Sequence, residues 1–77
     1  MEIKVLGPGC AKCGKAEKII REVIAETGVE ATVEKVTDML EIAKFGVMGT
    51  PAVVVNGKVK SVGKIPGREE VQSWLNG

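Results

Sequence analysis

Two cysteines separated by two residues, Cys10-Ala11-Lys12-Cys13, have the clearest capacity for chemistry in this chain. The thiolate is the reactive form of a cysteine, and it is favoured where unpaired backbone N–H groups and the positive end of a helix dipole lie close. The pair follows a short apolar stretch and opens a helical pattern, so both sulfurs are expected in or near the first helical turn. Cys10, nearer the turn and more exposed, is the natural nucleophile. Cys13, three residues on and deeper, is expected to reach the sulfur of Cys10. That order gives a two-step exchange in which Cys10 attacks a substrate disulfide, Cys13 resolves the mixed disulfide, and the pair ends oxidised as Cys10–Cys13. The second step is fast because it is intramolecular. Lys12 is a cation that favours the thiolate, or one that meets an acidic partner, or a solvated residue on an exposed helical turn.

The same spacing serves other ends. Cys-x-x-Cys at a strand-to-helix turn also binds Cu(I) or zinc through thiolates, two cysteines can form a structural staple, and a redox-sensing interaction module can carry such a pair without turnover. The chain has no histidine, so one copy cannot close a four-ligand cysteine/histidine zinc site, which leaves sites shared between two copies. Small soft-metal chaperones run strand, helix, strand, strand, helix, strand, an order the later part of this sequence does not follow. Glu2 and Lys4 interrupt the only early apolar stretch, so no export signal is read and a reducing, cytoplasmic setting is expected. A cysteine pair there is more often catalytic or metal-binding than structural. Eleven Lys and Arg against ten Asp and Glu, mixed along the chain, give no support to a nucleic-acid or membrane-surface partner. Apolar runs such as Ala52 to Val55 are too short to span a bilayer.

The elements that must position the cysteines can be read from periodicity. A chain of 77 residues with 44% apolar content can build one core but not two, so residues 1–77 are expected to be one domain, read as a monomer. Met1 to Leu6 alternates as a strand ending at Gly7-Pro8-Gly9. From Cys13 onward, Ala16, Ile19, Ile20, Val23 and Ile24 fall on one helical face, Glu17 and Arg21 pair one turn apart, and Gly28 ends the helix in a left-handed conformation. Val29 to Val36 alternates as an edge strand with one wet face. Asp38 and Glu41 resemble a capping box for a short helix whose apolar face is read as Met39, Leu40, Ala43 and Ile42, ending at Gly46. Pro51 to Asn56 reads as a strand covered on both faces, and Asn56-Gly57 as a type I′ turn into a strand over Lys58 to Val62. A loop over Gly63 to Gly67 leads to a last helix with Val71, Trp74 and Leu75 inward. This βαβαββα order predicts an α/β fold, a mixed four-stranded sheet with helices on both faces.

Two segments, Val5-Leu6-Gly7-Pro8-Gly9-Cys10-Ala11-Lys12-Cys13 and Val47 to Gly57 with Gly49-Thr50-Pro51 in it, resemble the thioredoxin/glutaredoxin superfamily, most closely its small archaeal and bacterial redox-active disulfide proteins. The resemblance covers nearly the whole chain. It implies a thioredoxin-like fold, protein-disulfide oxidoreductase activity, protein disulfide substrates and no bound cofactor. It also implies a cis Thr50–Pro51 bond packed beside Cys10, with the backbone of Thr50 offered to an extended substrate segment by strand addition. Gly63 is similar to the glycine that leaves space on the other side of that groove; as a residue alone it is equally a turn glycine. Met48 either lines the groove or fills a gap in the core. The cysteine motif lacks the aromatic residue and internal proline of many members, and Lys4 stands where thioredoxins tend to bury an acid, so the base for Cys13 is unassigned. Gly63 to Gly67 lacks the glutathione-binding pattern of glutaredoxins, which points to a protein reductase as electron source.

Overall fold

The computed structural model describes residues 1–9 and 11–76. Strand β1 (Glu2–Leu6) leads through Gly7 to Gly9 into helix α1 (Ala11–Thr27), followed by β2 (Thr32–Val36), α2 (Met39–Lys44), β3 (Ala52–Val55), β4 (Lys58–Val62) and α3 (Arg68–Asn76). The sheet order is β2-β1-β3-β4, with β1 parallel to β2 and antiparallel to β3, and β3 antiparallel to β4. This is the mixed four-stranded sheet expected, with β2 at an edge.

Strand alternation sorts the core into two layers. Ile3, Val5, Val53 and Val55 pack with Ala16, Ile20 and Val23 of α1 and Val71 and Leu75 of α3. Leu6, Ala52 and Val54 pack on the other side with Ile42 of α2, joined by Val36, Phe45 and Val47. All four residues of β3 are buried, so its uninterrupted apolar run reflects cover on both faces. Trp74 packs half-buried against the larger layer, the anchoring role expected of it. Arg68 at the start of α3 reaches both Glu22 and Glu26 of α1, tying the two helices together at the rim.

Two local expectations change, the start of β2 and the buried face of α2, and the structure adds a helix start and a bulge that periodicity does not fix. Helix α1 begins at Ala11, before the apolar stripe that made it visible, and β2 begins at Thr32, with Val29 and Ala31 half-buried ahead of it. Ile42, not Met39, Leu40 or Ala43, is the buried face of α2; Met39 and Leu40 are 61% and 76% exposed. The Asp38 carboxylate accepts from the Leu40 N–H at 2.8 Å and fixes the phase of a helix with room for one inward residue. Leu40 then lies about 160° around the axis from Ile42. Glu41 pairs with Lys44 at 3.1 Å. Strand β4 has an irregular register, its partners jumping from Val53↔Ser61 to Val54↔Val59, which leaves Lys60 as the extra residue of a bulge. Asn56 (φ 50°) and Gly57 (φ 82°) make the tight turn predicted from the Asn-Gly pair. No helix among the described residues is long and apolar enough to cross a membrane.

Candidate functional site

Chain direction gathers the site at one end of the sheet. Strand β1 ends at Leu6, and its antiparallel partner β3 starts opposite it, at Ala52. Gly7 and Cys13 therefore meet the segment Gly49 to Pro51 there, although some 40 residues separate them in sequence. The N–H of Gly7 continues the parallel ladder by donating to the Val36 carbonyl at 2.9 Å. Gly9, at φ 93°, then turns the chain into α1.

Cys13 lies in the first turns of α1 as the first rung of its inward stripe, followed by Ala16, Ile20 and Val23. It is 2% exposed. The core-facing spacing thus carries its sulfur inward, against the α-carbon of Gly7: a β-carbon built on Gly7 would stand 2.2 Å from Cys13 Sγ and 3.8 Å from Thr50 Cβ. Cys13 and Thr50 therefore flank one glycine. Cys10 falls outside the described residues, as does its expected packing beside Pro51.

The second half of the site is backbone. The Thr50–Pro51 peptide bond is cis, and the Pro51 side chain is fully buried. Gly63 donates its N–H to the Pro51 carbonyl at 2.9 Å, and a β-carbon on Gly49 would lie 3.4 Å from the Gly63 α-carbon. Gly49 and Gly63 are thus in contact beside the cis peptide bond. Gly63, at φ 72°, is in the left-handed region that side chains rarely adopt. Met48, just ahead of this segment, is 96% exposed and so is not filling the core. Lys12 is exposed on α1.

Beyond Gly63, the Lys64 ammonium contacts both oxygens of the Glu70 carboxylate, at 2.9 and 3.1 Å, and the Gly67 N–H donates to it at 3.2 Å. The Lys64 hydrogen bond, then that N–H, hold the Glu70 carboxyl below the ordinary glutamate range. The loop from β4 to α3 is pinned this way. Lys4, in β1, is half-buried with its ammonium 5.6 Å from the centre of the Phe45 ring, a cation–π contact in the smaller layer. Among the described residues no group of three or more histidine, cysteine, aspartate or glutamate side chains is arranged to hold a metal ion.

Sequence reading brought out Cys13, Thr50, Pro51, Gly49 and Gly63, and the structure draws these together. It missed Gly7, read only as part of a turn. The available signal was a glycine continuing a strand towards a helix that carries a buried cysteine, since such glycines mark close approach of another group.

Comparison with known proteins bears on this site. The family profile described as Thioredoxin domain matches residues 1–76. A protein named Thioredoxin from Methanothermobacter thermautotrophicus is 36% identical over 76 residues, covering 99% of each chain. Another named Thioredoxin, from Methanocaldococcus jannaschii, is 37% identical over 80 residues, covering 97% of this chain and 91% of its own. A protein named Probable Thioredoxin from Methanothermobacter marburgensis is 39% identical over 67 residues, covering 83% and 78%.

Proposed function

The chain belongs to the thioredoxin family, and from that premise we propose that its 77 residues form one domain that exchanges disulfides with protein substrates through Cys10 and Cys13. In the first step the Cys10 thiolate attacks one sulfur of a substrate disulfide. A Cys10–substrate disulfide forms, and the other substrate sulfur leaves as a thiolate. In the second, the Cys13 sulfur, as thiolate, attacks Cys10 Sγ; the mixed disulfide breaks and the second substrate thiolate departs. The substrate gains two electrons, the protein holds them no longer, and a protein reductase restores the dithiol.

The burial of Cys13 on the inward stripe of α1 carries this reading. A buried sulfur at the start of a helix is poorly placed to meet a protein substrate and well placed to meet a neighbour one helical turn away, so attack falls to Cys10 and resolution to Cys13. Thr50, flanking the same glycine as Cys13, offers its backbone to an extended substrate segment, with Gly49, Pro51 and Gly63 shaping the groove. Lys12 supplies positive charge near the reacting thiolate.

An equilibrium titration of the metal-free protein against dithiothreitol buffers, read by thiol labelling, tests the proposal. The expected result is a reversible two-electron transition of the Cys10–Cys13 pair, and a potential near −270 mV would mark a reductant of the thioredoxin kind. A pair that stays reduced under oxidising buffer yet binds one soft metal ion tightly would contradict it.

A further inference from the structure

Gly7 is needed for a reason other than turning the chain. Its φ lies outside the left-handed region, so its backbone could accept another residue. What it lacks is space. The position a β-carbon would take is 2.2 Å from Cys13 Sγ and 3.2 Å from Cys13 Cβ, with Thr50 Cβ at 3.8 Å. Non-bonded carbon and sulfur atoms cannot approach to such a distance, so a methyl group and the sulfur cannot both occupy this place. Nor can Gly7 readily step aside, because its N–H is bound to the Val36 carbonyl at 2.9 Å and the residue is buried.

We propose that Gly7 is a positioning residue for the resolving step, its missing side chain forming the seat that holds the Cys13 sulfur between β1 and the Thr50 segment. The inference rests on the assignment of Cys13 as resolving cysteine. A side chain at position 7 would drive Sγ into another rotamer, away from its place beside Thr50. Intramolecular attack depends on alignment of the incoming sulfur with the disulfide being cleaved. A displacement of about 1 Å can slow such a step by roughly a hundredfold. The seat therefore acts on the second step of exchange, not on the capture of substrate by Cys10.

Two measurements on Gly7→Ala test this. In the first, the protein is mixed with insulin, and the mixed disulfide is quantified after acid quench. The expected result is accumulation of the adduct as in Cys13→Ser, with its decay slowed at least tenfold relative to the unsubstituted chain; decay at the unsubstituted rate overturns the proposal. In the second, thermal midpoints are compared for Gly7→Ala alone and in the Cys13→Ala background, where the sulfur is gone and the 3.2 Å contact with the position-13 Cβ and the ordinary 3.8 Å contact with Thr50 Cβ remain. The seat predicts that most of the loss in midpoint disappears in that background, whereas an equal loss in both backgrounds overturns it. This second comparison needs no turnover, so it judges the seat separately from the assigned chemistry.

Discussion

Ser61 is the one buried side chain among the described residues whose hydroxyl has no hydrogen-bond partner, and it lies opposite Val53 in a strand otherwise exposed along its length. Burying an unpaired hydroxyl costs more than burying a methyl group. Ser61→Ala is expected to stabilise the fold by about 1 kcal/mol, read by urea denaturation; a loss of stability would mean that the hydroxyl is satisfied. Gly63 behaves oppositely. Its φ of 72° makes Gly63→Ala unfavourable by about 1–2 kcal/mol. Because its N–H holds the Pro51 carbonyl, the same variant should raise the KM for a protein disulfide, measured by steady-state reduction. At this scale the sequence was most legible where a residue type has few uses, as with the inward Cys13 and the cis Thr50–Pro51 step. It was least legible at Gly7, whose role depends on a sulfur six residues away that only the folded helix brings back to it.

At the scale of elements, the inward face of the long helix was legible, whereas for the short helix only its presence and its Asp38 cap were. In α1 five apolar residues at three- and four-residue intervals define a face without ambiguity, and four of the positions on it, Cys13, Ala16, Ile20 and Val23, are buried. Ile20→Ala is accordingly expected to destabilise by about 2–5 kcal/mol, measured by chemical denaturation. In α2 six residues cannot establish a period, and the phase is set by the Asp38 cap. Substituting the exposed Leu40 with Gln should therefore change stability by less than about 0.5 kcal/mol, well below the effect of Ile42→Ala. The loop into α3 carries the pH dependence. Because the Glu70 carboxyl is held low in the folded chain, the unfolded chain binds more protons through the ordinary glutamate range and just below it. This contribution is complete above that range and is lost as pH falls through the lowered folded value. Glu70→Gln should flatten the fall in stability on acidification, followed as thermal midpoint against pH; an unchanged slope would contradict the pinning role of Lys64 and Gly67.

Across the whole molecule, topology does what no local pattern can. Strand β3 runs antiparallel to β1 with Ala52 opposite Leu6, and this pairing brings Gly7, Cys13 and Thr50 to one place. The βαβαββα order and the Asn56-Gly57 turn were sufficient to predict a mixed sheet, because a helix between strands allows parallel pairing and a two-residue turn forces antiparallel pairing. Helices on both faces of the sheet were expected too, but which helix takes which face was not legible; the packed layers place α1 and α3 on one side and α2 on the other. The bulge in β4 had no sequence signal as clear, since Lys58, Val59 and Lys60 are all exposed and no buried side chain among them fixes a register. The central claim is a division of labour between an attacking Cys10 and a resolving Cys13. Its most direct test is to incubate Cys13→Ser with a protein disulfide and map the adduct by peptide mass spectrometry. A stable mixed disulfide on Cys10, together with no adduct and no turnover in Cys10→Ser, is the predicted result. Disulfide reduction retained by Cys10→Ser, or no adduct on Cys10 in Cys13→Ser, would contradict the account.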